Sequence, residues 1–116
     1  AGLVIFCGLQ GWWIQPILQG LDPKTFFWIA TLLASFNDNA AVTSLAAQVP
    51  NLTEGMKYAA LAGAVAGGGL TIIANAPNPA GFALVRKYFR KEVVNAAGLF
   101  LAALIPTLIV AAIFIL

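Results

Sequence analysis

The sequence predicts an all-α membrane protein with three transmembrane helices and a re-entrant helical hairpin, one of the helices being broken in the middle of the membrane. Of its 116 residues, 61% are hydrophobic and 9% are charged, whereas about a quarter of the residues in a soluble domain are charged. Several apolar segments approach the roughly 20 residues that a helix needs to cross a bilayer. Two polar interruptions divide these segments, one at an acid and one at a run of glycines and prolines.

The first and last apolar segments predict simple transmembrane helices. The first covers residues 1–20 and is ended by Gly20, Asp22 and Pro23. The last covers residues 93–116 and is interrupted only by Pro106. Because the chain begins and ends inside apolar runs, we expect residues 1–116 to be a single transmembrane unit of a longer polypeptide.

Residues 23–49 contain an acid in the middle of an apolar segment, Asp38, flanked by Asn37 and Asn39. Two full spans would need about 40 residues, so the segment is either one span with a buried acid or a re-entrant hairpin with its tip at residues 35–39. Asp and Asn side chains compete for backbone hydrogen bonds and disfavour helix. Non-helical backbone is tolerated at membrane depth only inside protein or beside water, so the tip should face an interior site.

Residues 57–89 predict a broken helix. The interruption contains three glycines and two prolines, Gly67, Gly68, Gly69, Pro77 and Pro79. In a helix interior Gly costs about 1 kcal/mol and Pro about 3 kcal/mol, so we expect an unwound stretch near residues 71–78. The glycines would allow the backbone to approach an ion or substrate closely. The G-x-x-x-G pair Gly63 and Gly67 predicts close helix packing.

The basic residues predict the orientation of the chain. Four of the six lie in one loop, Arg86, Lys87, Arg90 and Lys91. An excess of Lys and Arg marks a cytoplasmic loop, so loop 86–91 should be cytoplasmic, and the sequence pI of about 9.0 does not indicate nucleic-acid binding. The N-terminus is cytoplasmic if residues 23–49 form a hairpin and external if they form one span.

Asp38 is the acid that lies within an apolar segment, and an intramembrane carboxylate is by default a candidate functional group. Sodium prefers oxygen ligands, and a desolvated carboxylate can also carry a proton. Asp38 is therefore the candidate sodium ligand and proton carrier; the alternative is a helix cap or an ion pair. Asn37 and Asn39 beside it can supply further oxygen ligands, and Thr71, Asn75 and Asn78 are the polar side chains of the second interruption.

The absence of histidine from the sequence limits the possible chemistry. Without His, and with a lone Cys7 in an apolar segment, no pair of nucleophile and base can be named. We therefore expect neither an enzyme nor a bound cofactor. Cys7 is interpreted as a small hydrophobic residue.

Two motifs carry a resemblance to a known family. They are Asn37-Asp38-Asn39 and the glycine run Gly67-Gly68-Gly69-Leu70-Thr71, which is followed by Asn75-Ala76-Pro77-Asn78-Pro79-Ala80-Gly81. The chain resembles the C-terminal repeat of the ion transporter superfamily, and within it the putative Na⁺/H⁺ antiporter group. The resemblance implies half of an inverted-repeat transporter, with residues 23–49 as a re-entrant hairpin and a cytoplasmic N-terminus.

The resemblance also implies a cation site and its partners. It places Asn37, Asp38, Asn39, Thr71, Asn75 and Asn78 at one half of a cation site that the N-terminal repeat of the same chain completes. The expected partners are that repeat, the lipid bilayer, sodium and protons, with a homodimer as one allowed assembly. The expected location is the bacterial inner membrane.

Three functions follow as hypotheses. The first is secondary active transport, namely sodium/proton antiport with Asp38 as the carrier. The second is an anion or metalloid carrier of the same superfamily, in which Asn75 and Asn78 bind the substrate. The third is a non-transporting membrane subunit of a larger complex, which predicts that Asp38 and Asn75 lie far apart or face a partner chain.

Overall fold

The structure is a computed structural model that describes residue 5, residues 8–89 and residues 94–116. This part of the chain is helical and contains no β-strand. Its α-helices are α1 (Gly11–Gln19), α2 (Pro23–Phe36), α3 (Asn39–Ala47), α4 (Glu54–Gly67), α5 (Asn78–Val85) and α6 (Ala96–Ile115), with a 3₁₀ helix at Arg86–Tyr88 between α5 and α6. The all-helical part of the predicted fold class is therefore confirmed.

The residues that flank helix α2 determine where it begins and ends. Asp22 caps its first turn, accepting a hydrogen bond from the backbone N–H of Thr25 at 3.0 Å, and Pro23 occupies a first-turn position where its missing N–H costs nothing. The helix ends at Phe36 because the backbone of Asn37 is extended. Asp38 then caps α3, so the interruption is confined to Asn37 and Asp38.

This interruption is narrower than the predicted tip at residues 35–39. Ser35 still lies within α2, with its hydroxyl donating to the carbonyl of Thr31 at 2.7 Å, and Asn39 is already the first residue of α3. Only two residues are therefore needed to reverse the chain.

Helices α2 and α4 run parallel and in close contact. Pro23 packs against Gly55 near the start of both helices, while Thr31 and Ala34 pack against Gly67 near their ends. A Cβ atom at Gly67 would clash with the carbonyl oxygen of Thr31, and one at Gly63 would lie 2.8 Å from the Cβ of Ala30. The packing role predicted for the G-x-x-x-G pair is confirmed.

Helix α3 returns antiparallel to α4. The amide of Asn39, at its start, lies beside Gly68 at the end of α4. Near its end, Ala46 and Ala47 share a surface recess with Lys57 and Leu61 from the beginning of α4. Helices α2 and α3 thus form an antiparallel pair whose turn lies beside the break between α4 and α5.

The core is made largely of small residues. One buried cluster consists of Ala30, Ala34, Val42 and Ala64, so α2, α3 and α4 meet through three alanines and one valine. A second cluster centres on Phe26, Phe27 and Met56 at the opposite end of these helices and includes Ala111 of α6. Small side chains allow the three backbones to approach closely, as in packed membrane helices.

The break in the fourth helix extends from Gly68 to Pro77. Asn78, predicted to lie in the unwound stretch, is instead the first residue of α5. The first turn of a helix accepts Pro79 because its backbone nitrogen has no intrahelical partner there. The prolines therefore define where the second half-helix starts.

Among the described residues, α6 is the one helix long and apolar enough to cross a membrane, with 20 residues and a mean hydropathy of 2.6. Asn95 caps its first turn, accepting from Ala97 N–H at 2.9 Å. The layout of three transmembrane helices plus a re-entrant hairpin remains a prediction. The predicted first helix is described only from residue 8 onward apart from Ile5, and Cys7, Arg90, Lys91 and the predicted start of the last helix at Val93 lie outside the described residues.

The contact between α2 and α4 should not tolerate a methyl group. We expect Gly67→Ala to destabilise the fold by about 1–3 kcal/mol, the usual cost of overpacking, because the new Cβ would meet backbone atoms of Thr31. The measurement is thermal unfolding of the complete protein in detergent. Gly69→Ala is the matched control, since nothing lies within 4 Å of its Cβ position. Equal loss of stability in both variants would contradict the packing assignment.

Candidate functional site

The turn between α2 and α3 is hydrogen-bonded to the break between α4 and α5. The backbone N–H of Asn39 donates to the carbonyl of Ala74 at 3.2 Å. The hydroxyl of Thr71 donates to the carbonyl of Ser35, which lies 36 positions earlier in the chain. The two polar interruptions of the sequence therefore lie side by side.

Asn78 closes the break from the other side. Its Nδ2 donates to the carbonyl of Gly68 and to that of Thr71, each at 2.9 Å. Carbonyls just past the end of a helix have no intrahelical donor, and the amide supplies both of its hydrogens to them. The side chain of Asn78 thus holds the unwound segment and the start of α5 together, with its Oδ1 still able to accept.

Gly68 leaves space for the side chain of Asn39. A Cβ atom at Gly68 would lie 3.1 Å from Asn39 Nδ2, which is tighter than an ordinary contact, whereas Gly69 has open space around its Cβ position. The three neighbouring glycines therefore differ in role: Gly67 contacts α2, Gly68 contacts the amide of Asn39, and Gly69 has open space at its Cβ position.

Asp38 is half-buried at the turn. Its Oδ1 accepts a hydrogen bond from Ala40 N–H at 3.1 Å, and its own N–H donates to Oδ1 of Asn37 at 3.0 Å. Within the described residues, Oδ2 of Asp38 accepts no hydrogen bond. Asp38 thus caps helix α3, as one of the two alternatives predicted, but the cap uses only one of its two carboxylate oxygens.

Asp22, which caps helix α2, differs from Asp38 because both of its carboxylate oxygens accept hydrogen bonds. Its Oδ2 accepts from Thr25 N–H at 3.0 Å and its Oδ1 from the Thr25 hydroxyl at 2.6 Å. These hydrogen bonds, the hydroxyl first, lower the pKa of Asp22. Asp22 is exposed, so the chain contains two capping aspartates that differ in burial and in the use of their second oxygen.

Four helix ends meet at this junction. The C-terminal ends of α2 and α4 and the N-terminal ends of α3 and α5 are joined by the hydrogen bonds of Thr71, Asn39 and Asn78. Helix N-termini carry partial positive charge and C-termini partial negative charge. Asp38 is the single formal charge in residues 35–39 and 68–78, so the junction combines one carboxylate with neutral oxygen donors.

The remaining predicted site residues can be placed as well. Asn75 is half-buried; its carbonyl accepts from Asn78 N–H at 3.0 Å, while its side chain makes no hydrogen bond within the described residues. Pro77 caps α5 and Pro79 lies in its first turn. The described residues contain no group of three or more His, Cys, Asp or Glu side chains able to hold a metal ion.

Sequence analysis missed two backbone groups, the carbonyls of Ser35 and Ala74, which receive the hydrogen bonds that join the turn to the break. For Ser35 the accepting group is a backbone carbonyl, which the residue type does not mark. For Ala74 no side chain marks the contact, so no residue pattern could have indicated it.

An apolar cavity of about 510 Å³ separates α1 from the pair α2 and α3. Its walls are mostly Leu, Ile and Ala side chains, and Asn37 lies in its lining. The cavity therefore reaches the turn on the side of α1, and the turn is not enclosed by the described residues alone.

Short half-helices that meet at polar breaks are typical of secondary transporters, and this arrangement assigns the chain to the membrane transport proteins. The family model described as "Putative Na+/H+ antiporter" matches residues 1–116. The chain belongs to that family, which confirms the resemblance and indicates cation/proton antiport. No curated protein and no solved structure shows significant similarity to the chain.

The two asparagines of the break should differ in their contribution to stability. Asn78→Ala should destabilise the protein by about 1–3 kcal/mol, because two part-buried carbonyls lose their donors. Asn75→Ala is the control, since its side chain makes no hydrogen bond within the described residues. Thermal unfolding in detergent measures both, and a loss for Asn75→Ala as large as for Asn78→Ala would contradict the assignment.

Proposed function

We propose that this chain forms one half of the cation site of a sodium/proton antiporter, with Asp38 as sodium ligand and proton carrier. The observation that supports this most strongly is the hydrogen-bonded junction between the turn at Asn37–Asp38 and the break at residues 68–77. It joins the segment that carries Asp38 to the segment that carries Thr71, Asn75 and Asn78, although the two segments lie far apart in the sequence.

Competition at one carboxylate is the proposed exchange mechanism. Sodium binds the ionised form of Asp38, and a proton neutralises the same group, so the two cannot occupy it together. The second oxygen of Asp38, which accepts no hydrogen bond within the described residues, is the proposed point of contact. Alternate loading on the two sides of the membrane then exchanges one cation for the other.

Neutral oxygens complete this half of the proposed site. The amide oxygens of Asn39, Asn75 and Asn78 and the hydroxyl oxygen of Thr71 are candidate ligands, because a hard cation takes about six oxygens. Asn37 holds the turn through its hydrogen bond to Asp38 N–H. The remaining ligands would come from the N-terminal repeat, since such sites form between two repeats.

The lengths of α2 and α3 support a re-entrant hairpin. At 1.5 Å per residue, their 14 and 9 residues correspond to about 21 Å and about 14 Å. Both are shorter than the hydrocarbon core of about 30 Å, and the two helices are antiparallel. We therefore propose that they enter and leave on one side of the bacterial inner membrane, with loop 86–91 cytoplasmic.

The helix ends also allow the alternative of an anion or metalloid carrier. The N-termini of α3 and α5 both lie at the junction, and helix N-termini attract anions. Asp38, however, places a carboxylate on the N-terminus of α3, where an anion would have to bind.

The alternative of a non-transporting subunit is disfavoured too. It predicts that Asp38 and Asn75 lie far apart or face a partner chain, whereas their neighbours in sequence, Asn39 and Ala74, are hydrogen-bonded to each other.

Replacing Asp38 by Asn should abolish exchange. Asn caps helices about as well as Asp, so Asp38→Asn removes the charge and keeps the turn. In vesicles containing the complete transporter, sodium-driven proton movement should fall to the level of empty vesicles. The measurement is the fluorescence of a pH-sensitive dye after a sodium pulse.

Asp22→Asn is the matched control for this experiment, because it changes the other capping aspartate and should leave exchange intact. Thermal unfolding of both variants checks that each is folded. Unaltered exchange by a folded Asp38→Asn protein would show that Asp38 is not the carrier.

A further inference from the structure

The segment from α5 to the 3₁₀ helix presents apolar and basic side chains that this chain does not cover. No residue of α5 or of the 3₁₀ helix is buried. Leu84 and Tyr88 are 71% and 79% exposed, and Val85 and Phe89 are about half exposed. Exposed apolar side chains in such a run mark an interaction surface.

The charge of this surface is positive. Arg86 and Lys87 are exposed, and within the described residues neither makes an ion pair, whereas Lys57 pairs with Glu54 at 2.7 Å. The sequence adds Arg90 and Lys91, opposed in this stretch only by Glu92. We term the described residues 86–89, which contain Arg86 and Lys87 followed by Tyr88 and Phe89, the basic segment.

The aromatic residues of the basic segment suit a membrane surface. Lys87 Nζ lies 5.1 Å from the centre of the Tyr88 ring, a cation–π distance. Tyrosine is enriched at the level of lipid headgroups, where its ring contacts acyl chains and its hydroxyl contacts water. Tyr88 and Phe89 can therefore insert at the depth where the neighbouring cations meet phosphates.

The position of the segment in the chain points to the same surface. Arg86 precedes Ala96, the first residue of α6, by ten positions, and α6 is the described helix that can cross a membrane. Basic clusters directly beside a transmembrane helix attract anionic lipids. The complementary partner is thus a negatively charged headgroup attached to a lipid.

We propose that the basic segment is a binding site for anionic phospholipids, with Arg86 and Lys87 contacting the headgroup phosphate and Tyr88 and Phe89 the acyl chains beside it. This assignment goes beyond the marking of a cytoplasmic loop, because it predicts a preference among lipids. It does not depend on Asp38, and lipid binding is measured without transport.

The test compares two double variants that remove the same charge. Arg86→Gln/Lys87→Gln neutralises the basic segment, and Lys24→Gln/Lys57→Gln neutralises two basic residues elsewhere in the chain. The complete transporter in neutral detergent is titrated with phosphatidylglycerol and with phosphatidylcholine, and bound lipid is counted by native mass spectrometry.

We expect the unaltered protein and the Lys24/Lys57 variant to prefer phosphatidylglycerol. The Arg86/Lys87 variant should bind it about 30-fold more weakly, the effect of two cations near an anionic surface. Raising the salt concentration should weaken phosphatidylglycerol binding to the unaltered protein, a measurement that needs no variant.

Three results would overturn the proposal. One is equal binding of the two lipids by the unaltered protein. Another is equal loss in both double variants, which would reflect net charge alone. The third is competition by glycerol phosphate at the same concentration as the lipid, which would identify a site for soluble anions.

Discussion

The close approach of α2 and α4 determines how the rest of the structure is arranged. Gly67 lies against the backbone of Thr31, and four residues further along the chain from each, Thr71 in the break donates to the carbonyl of Ser35 in α2. The glycine contact therefore sets the register that brings the break to the turn. A side chain at that point would separate the helices and remove the hydrogen bond that follows, so packing and site geometry share one cause.

Breaking two helices beside each other exposes backbone groups that have to be satisfied. The chain does this with its own polar side chains and carbonyls. Asn78 donates to the carbonyls of Gly68 and Thr71, and the carbonyl of Ala74 accepts from the N–H of Asn39. Thr71 and Asn78 hold the backbone through their donors, while their oxygens stay available as acceptors, so holding the fold does not preclude binding a cation.

The two capping aspartates differ in burial and in the number of carboxylate oxygens that accept hydrogen bonds. Asp22 is exposed and uses both oxygens on Thr25, and its lowered pKa is that of a helix cap. Asp38 is half-buried and uses one oxygen on Ala40. The difference lies in the surroundings, because the turn of Asp38 packs against the break of another helix, whereas Asp22 is exposed.

Composition and residue order determined the helical class of this protein and its family. They also determined the two interruptions, because Gly, Pro, Asp and Asn act locally on the backbone. Local preference could not reveal that the carbonyls of Ser35 and Ala74 are the contact points between the turn and the break. Those features depend on which groups meet across the junction. Only the tertiary structure decided them, because every backbone carbonyl looks the same in sequence, and its partner depends on the register of α2 against α4.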